Sequence, residues 1–375
     1  GGGGAMLNVG EGGAPVAPDS VAMNLFLIGD AGLPAPGGEP VLEALKASLA
    51  ASDTTRNFVV WLGDNIYPHG LVDSTLAEHR ENRRILDAQI EVMRATRTRG
   101  VFVPGNHDWH AGSPLGYETI LRQQRYIDAN GAGVAEMLPK GGCPGPVVMD
   151  FEGLRVIFID TQWWLHGDPK PVGALAAHCR ARSEQEVIDS LRVDLATAGE
   201  RRTVVVAHHP LVSGGQHGGY FDWPTYLFPF HPWARIGGAF ARQDVSGREY
   251  RNLRAAMERA FAADPPLVFA AGHEHNLQIL RRSPAEYQIV SGAGIYGHLT
   301  AVRAITGTRY TRAASGYVVL SILVDGRVRV SVQVVDAQGR ATEDHSSWLE
   351  TDRFPSVEAA DSARRAATVT PGGSE

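Results

Sequence analysis

Five short apolar runs, each ending beside glycine or proline in a polar side chain, constrain this sequence more than any other feature. The runs cover residues 24–28, 58–62, 101–104, 203–207 and 267–271. They are rich in valine, isoleucine and phenylalanine, as strands are when both faces of a sheet are buried. Because ligand sites in open α/β sheets form outside the carboxyl ends of strands, the five endings predict one shared site.

The polar residues at these strand ends are carboxylates, an amide, a phenol and imidazoles. They are Asp30, Asp64, Tyr67, Asn106, His107, His208, His273 and His275. Oxygen and imidazole donors without thiolates suit Fe, Mn, Zn or Mg. A carboxylate such as Asp64 can bridge two cations, and two metals roughly 3.5–4 Å apart activate water and hold phosphoryl oxygens. This donor set therefore predicts a hydrolase that acts on phosphoesters with two metal ions.

The remaining patterns indicate a mixed α/β protein with antiparallel strands at one side. Helical periodicity is visible near residues 74–97, 183–198 and 250–263, and Asp325-Gly326 separates two apolar runs, which is a strong hairpin signal. A sixth run, residues 156–159, ends at Asp160, whose carboxylate can simply cap the following turn.

Three segments are predicted along the chain. Residues 1–20 are rich in glycine, alanine and proline and are expected to form a disordered tail. Residues 21–336 are expected to form the catalytic domain, and the polar residues 337–375 a peripheral or disordered C-terminal segment.

Charge and composition exclude some partners. The formal net charge of −6 gives no electrostatic reason to expect nucleic acid or an anionic membrane surface. No apolar stretch reaches the roughly 18 residues of a membrane span. The two cysteines, Cys143 and Cys179, are too few for a cysteine-rich zinc site. They are either two unrelated buried thiols or one disulfide of an exported protein.

Taken in order, the strand-end motifs resemble the five motifs of the purple acid phosphatases, which belong to the calcineurin-like metallophosphoesterase superfamily. They are Asp-x-Gly from residue 30, Gly-Asp-x-x-Tyr from 63, Gly-Asn-His-Asp from 105, Val-x-x-His from 205 and Gly-His-x-His from 272. The resemblance covers about residues 24–300 and implies a two-sheet β-sandwich flanked by helices. Residues 272–278 and 291–294 are most similar to the tartrate-resistant type. Residues 143–146 and 161–166 resemble a bacterial branch that is often exported.

The resemblance also implies how the first metal is held. Asp30, Tyr67 and His275 would bind this ion, and Asp64 would bridge it to the second. The wider superfamily begins with Asp-x-His, whereas Gly32 stands in place of that histidine here. Tyr67 would compensate for it. Because a phenolate favours a trivalent ion, the resemblance implies Fe(III) at the first site and Fe(II), Zn or Mn at the second.

The same comparison implies the second ligand set and the residues that meet the substrate. The ligands of the second metal would be Asn106, His208 and His273. His107 would contact the phosphate or its leaving group, and the neighbouring Asp108 is expected to orient it. His217 lies nine residues after His208, where this family often has a histidine that faces the substrate.

The expected reaction is hydrolysis of a small-molecule phosphate monoester, with a metal-bound hydroxide attacking phosphorus directly. A phosphodiesterase or nucleotide pyrophosphatase is the first alternative, because the long insertions at residues 109–150 and 162–202 could hold a second ester arm. A metal-dependent binding module that has lost catalysis is the second alternative.

The aromatic-rich residues 220–233 are expected to form either a self-packed loop or a lid. An exported, periplasmic or extracellular location is expected, and the sequence does not fix the oligomeric state.

Overall fold

Two seven-stranded sheets form the centre of the protein, as seen in a computed structural model that describes residues 16–167, 169–216 and 247–351. Apolar side chains from both sheets share one core cluster, so the sheets pack face to face. Two further clusters join each sheet to the helices on its outer face. This arrangement confirms the predicted two-sheet sandwich flanked by helices.

The first sheet contains the strand ends expected to supply Asp30, Asp64 and Asn106. Its parallel strands are β1 (Val21–Ile28), β2 (Asn57–Trp61), β3 (Arg99–Phe102) and β4 (Ala135–Met137). Antiparallel strands complete the sheet on the other side of β1; we number them β12 (Gly316–Leu323), β13 (Val328–Val335) and β14 (Ala341–Trp348). The predicted hairpin at Asp325-Gly326 is the connection between β12 and β13.

The second sheet contains the strand ends expected to supply the histidines. Its parallel strands are β6 (Leu154–Phe158), β7 (Arg202–Val206), β8 (Val268–Ala271) and β10 (Tyr287–Ser291). The antiparallel strands at its two sides are β5 (Val147–Phe151), β9 (Leu277–Leu280) and β11 (Thr308–Arg312). Antiparallel strands therefore border both sheets, rather than only the one side that was predicted.

Helices cover the outer faces. Those over the first sheet are α1 (Pro40–Ala50), α2 (His79–Thr96) and α3 (Gly116–Asn130). Those over the second are α4 (Gln162–Leu165), α5 (Glu184–Ala196) and α6 (Arg248–Phe261). Their ends follow local chemistry: α1 begins at Pro40 and is capped by the Glu39 carboxylate, and Ser183 caps α5.

The alternation of side chains along β1 explains why the strand patterns are continuously apolar. Leu25 and Leu27 enter the core between the two sheets, whereas Phe26 and Ile28 enter the core beneath the helices. Because both faces of the strand are buried from Leu25 to Ile28, these four positions are all apolar.

Strand β14 lies beyond residue 336, the predicted end of the catalytic domain, and pairs with β13 along the edge of the first sheet. This strand escaped prediction because three consecutive side chains, at residues 342–344, are exposed and polar. Pro18–Ser20 form a short 3-10 turn, within the segment expected to be disordered. Residues 1–15 and 352–375 lie outside the described residues.

Cys143 and Cys179 form a disulfide that spans 36 residues of sequence. The bond joins the loop before β5 to the loop before α5. Of the two alternatives left open by the sequence, separate thiols are therefore excluded. Within the described ranges, no helix has the length and hydropathy needed to cross a membrane.

Candidate metal centre

The carboxyl ends of the central strands meet where the two sheets face each other. Direct hydrogen bonds tie the two edges together: the Gly29 amide donates to the Ser291 carbonyl (2.7 Å). The His208 Nδ1 donates to the Leu62 carbonyl, also at 2.7 Å. Motifs that are far apart in the sequence thus meet in one site, to which both sheets contribute.

Three predicted ligands, which we call the first cluster, converge on one side of this site. The Tyr67 hydroxyl lies 3.0 Å from Asp30 Oδ1 and 3.0 Å from His275 Nε2. The same His275 nitrogen is 3.4 Å from Asp30 Oδ1. A carboxylate, a phenol and an imidazole thus direct their donor atoms at one small volume.

A second cluster, formed by Asn106, His208 and His273, lies beside the first. Asn106 Oδ1 is 3.0 Å from His208 Nε2 and 3.1 Å from His273 Nδ1, and the two ring nitrogens are 3.2 Å apart. Because His208 donates from Nδ1 to a backbone carbonyl, its neutral form presents the Nε2 lone pair to the cluster. Metal-binding histidines are oriented by the same kind of second hydrogen bond.

Asp64 lies between the two clusters. Its Oδ2 is 3.3 Å from His208 Nε2 and 3.9 Å from His107 Nε2, while its Oδ1 accepts a hydrogen bond from the His107 amide (2.9 Å). Ligand atoms of Asp30, Asp64 and His208 all lie within 4.8 Å of one another. The structure therefore brings together all seven residues that the sequence singled out as metal ligands.

The electrostatics of the site favour cations. Burial by itself would raise the pKa of Asp64, but the charges of His208 and His107 outweigh it and hold that pKa well below its usual value. Burial would lower the pKa of His208, yet Asp64 and Asp30 raise it to about 9. Burial and the nearby Asp30 and Asp64 raise the pKa of Tyr67 well above 10.0. Metal binding replaces such protons, so carboxylate, imidazole and phenol become usable ligands together.

Three of the ligands lie in strained backbone. The φ angles of Asp30, Asp64 and His273 are 57°, 53° and 68°, in the left-handed region that residues other than glycine rarely adopt. Each such conformation costs on the order of 1–3 kcal/mol and persists only where surrounding contacts impose it. One such contact is the His273 amide, which donates to Asp30 Oδ2 at 2.8 Å.

Gly32 explains why this chain lacks the histidine of the common Asp-x-His motif. A Cβ atom at this position would lie 2.6 Å from both the Asp64 carbonyl oxygen and the Ile66 amide nitrogen. The Tyr67 amide also donates to the Gly32 carbonyl (3.0 Å). Close backbone packing excludes a side chain at residue 32 and brings the Tyr67 segment against it.

His107 stands at the partly open rim of the site. Its Nδ1 donates to the Pro68 carbonyl (2.7 Å), and its ring lies against Tyr67 with centroids 4.5 Å apart. The side chain is 29% exposed. This position places Nε2 at the rim, 3.9 Å from Asp64 Oδ2.

Asp108 does not orient His107, which corrects the expectation from the sequence. Its buried carboxylate accepts hydrogen bonds from the Gly105 amide (2.8 Å), the Asn65 amide (3.0 Å) and Gln123 Nε2 (2.7 Å). Burial and the charge of Asp64 raise the pKa of Asp108 to about 6. Asp108 therefore fixes the conformation of the loop that carries Asn106. The Pro68 carbonyl fixes the orientation of the His107 ring.

Other histidines differ in how the structure places them. His209 is buried behind the second cluster, where its Nδ1 is 2.9 Å from Thr161 Oγ1. His298, which the sequence reasoning missed, has its ring centroid 4.2 Å from that of His275. The signal that could have found it is its place after β10, a strand that ends at Ser291 on the same edge of the sheet. His217 and the aromatic residues 220–233 lie outside the described residues.

The fold agrees with comparisons to known proteins. The chain matches the family Calcineurin-like phosphoesterase over residues 23–277 and belongs to that family. Membership implies divalent metal ions.

Among curated proteins, the chain is 26% identical to Purple acid phosphatase 17 of Arabidopsis thaliana over 178 residues. That alignment spans 46% of this chain and 48% of the relative, about half of each.

Two solved structures share the fold at low identity. The purple acid phosphatase PPD1 from yellow lupin (Lupinus luteus) seeds aligns with a TM-score of 0.51 and 14% identity, over 89% of this chain and 55% of that one. GAP50, described as the anchor in the inner membrane complex of Plasmodium, aligns with a TM-score of 0.53 and 14% identity, over 93% and 95%. At such identities these likenesses concern the fold alone.

Proposed function

We propose that the protein hydrolyses phosphate monoesters at a centre of two metal ions, in the manner of purple acid phosphatases. The observation that carries this proposal is the pair of converging clusters with Asp64 between them. Each cluster supplies three donor atoms within 3.0–3.4 Å of one another. One carboxylate within reach of both is the arrangement that a bridged metal pair requires.

The donor chemistry supports a mixed pair of metals. The first cluster contains a phenol beside a carboxylate, and we propose Fe(III) as its occupant. The second cluster contains two imidazoles and an amide, which suit Fe(II), Zn or Mn. When bound, such cations lower the pKa of water and neutralise charge on the phosphoryl oxygens.

His107 would then act on the leaving group. Its ring is fixed through Nδ1, so the proton available for transfer is that on Nε2 of the imidazolium form. Donation of this proton to the departing ester oxygen releases the alcohol without an alkoxide. General acid catalysis of this kind contributes about 10²–10⁴-fold.

The test compares p-nitrophenyl phosphate with bis(p-nitrophenyl) phosphate after loading with iron plus zinc or manganese. Faster release from the monoester supports the proposal. Faster release from the diester would replace it with a phosphodiesterase or nucleotide pyrophosphatase. No hydrolysis of either, by protein with two metals per chain, would favour a binding module without catalysis.

We further propose that the protein is exported and belongs to a bacterial, tartrate-resistant-like branch. The disulfide between Cys143 and Cys179 supports export, since such bonds persist in oxidising compartments. Thiol titration of denatured protein, isolated without reductant from its native host, tests this location. Two free thiols per chain would contradict it.

A further inference from the structure

Residues 295–303, which we call the bridging segment, cross the edge of the metal centre. Hydrogen bonds fix this segment to loops of both sheets. They join Tyr296 N to Glu39 Oε1 (2.8 Å), Thr300 N to His275 O (2.9 Å) and Arg303 N to Gly214 O (3.1 Å). The backbone on either side of residue 298 is therefore held in place independently of any ligand.

The side chain that this segment presents to the site is His298. Its ring centroid lies 4.2 Å from that of His275 and 5.7 Å from that of Tyr67, so it contacts two members of the first cluster. Tyr67 contacts His107 as well, with centroids 4.5 Å apart. His298 and His107 thus both pack against Tyr67 near the opening.

One ring nitrogen of His298 has no hydrogen-bond partner within the described ranges. Its Nδ1 is buried from solvent, although the residue as a whole is half-buried. A ligand cannot reach an atom that the protein shields from solvent, so Nδ1 is the nitrogen left unprotonated, and Nε2, which is not shielded in this way, carries the N–H that a ligand can reach. The open side of the first cluster is where a tetrahedral oxyanion would be held.

We infer that His298 is a further substrate-binding residue, whose imidazole N–H donates a hydrogen bond to a phosphoryl oxygen beside the first cluster. This inference rests on the proposed function, because it assigns a residue to the phosphoester at the same centre. With His107 on the leaving-group oxygen, His298 would fix the orientation of the phosphoryl group. Two imidazoles would then hold one phosphate through different oxygens.

The test measures oxyanion affinity together with kinetics. His298→Ala and His298→Gln are compared with the unaltered protein by calorimetric titration with inorganic phosphate and by kcat and KM for p-nitrophenyl phosphate. Metal content is determined for every sample. His345→Gln is the matched control, since His345 is also half-buried with an unpaired ring nitrogen but lies on β14 against Tyr310.

If His298 binds phosphate, His298→Ala weakens phosphate affinity by about 10-fold to 100-fold, the range of one hydrogen bond to a charged group. Glutamine keeps an N–H donor and restores part of the affinity, while metal content and the control stay unchanged. Unchanged phosphate affinity in His298→Ala overturns the inference. Loss of metal from both variants also overturns it, because His298 would then support the ligands.

Failure of the inference can be told apart from failure of the proposed function. If the unaltered protein binds phosphate but hydrolyses no ester, the proposed function fails while the affinities still decide the role of His298. If it hydrolyses the monoester and the His298 variants match it in affinity and kinetics, only the inference fails.

Discussion

The two ligand clusters of the metal centre differ in how deeply the fold buries them. In the second cluster, His208 is 0% exposed, His273 is 5% exposed and Asn106 is 7% exposed. In the first, Asp30 is 1% exposed, but the His275 side chain is 17% exposed and Tyr67 is half-buried. The second cluster is thus part of the packed seam between the sheets, and the first faces the opening beside His107. Substrate is therefore expected to arrive on the side of the first cluster.

The largest expected effect comes from removing the one residue that serves both clusters. Asp64→Ala should abolish hydrolysis and deplete both metals, because loss of a bridging ligand exceeds the roughly 10–100-fold cost typical of outer-shell changes. Metal analysis and circular dichroism on the same sample provide the measurement. A folded variant that retains activity would defeat the assignment of Asp64.

The difference in burial predicts unequal costs for losing a histidine from each cluster. In metal-free protein, His208→Ala leaves Asp64 without its buried partner and should lower the free energy of unfolding by about 3–5 kcal/mol. His275→Ala, at the more exposed cluster, should cost less. Urea unfolding in the presence of a chelator measures both. If both variants lose the same free energy of unfolding, the two clusters do not differ in how much their burial contributes to stability.

Asp160 provides a pH-dependent test of the buried layer near the second cluster. Its carboxylate accepts hydrogen bonds from Trp109 Nε1 (2.9 Å) and the Trp163 amide (3.2 Å), so it does cap the turn after β6. Burial raises its pKa from 3.8 to about 7. Between these values the folded protein holds a proton that the unfolded chain has released. The free energy of unfolding should therefore fall as pH rises from about 4 to about 7.

Asp160→Asn removes this ionisation, so its stability relative to the unaltered protein should improve as pH rises across that window. The full penalty for the ionised form is on the order of 4 kcal/mol, and asparagine relieves part of it because it keeps one acceptor oxygen. Urea unfolding at about pH 4.5 and about pH 7.5 measures the change. A stability difference independent of pH would contradict the raised pKa.

The smallest expected effect concerns the backbone beneath the first cluster. Gly32→Ala places a methyl group against the Asp64 carbonyl and the Ile66 amide, and overpacking of this kind costs about 1–3 kcal/mol. Thermal unfolding measures it, and Gly37→Ala is the control because its Cβ would meet no atom within 4 Å. If both substitutions cost the same, close packing does not explain the absence of a histidine at residue 32.

How much the sequence predicts depends on burial. The strands that lead to the site are buried on both faces, so their apolar runs and the polar residues after them were identifiable. Strand β14 is polar and β4 has only three residues, so neither leaves a pattern. The contacts of Asp108 and the position of His298 depend on how separate loops pack, and no local spacing carries that information.

Both clusters draw ligands from both sheets: Asp30 and Asn106 follow strands of the first sheet, and His275 and His273 follow β8 of the second. A cation bound there would be coordinated by residues of both sheets and would therefore cross-link them. Metal loading should therefore slow hydrogen–deuterium exchange in β1, β2, β7 and β8 together, well beyond the ligands themselves. The stability of the sandwich should therefore depend on its metal content, and a chelator should destabilise the fold as well as stop the reaction.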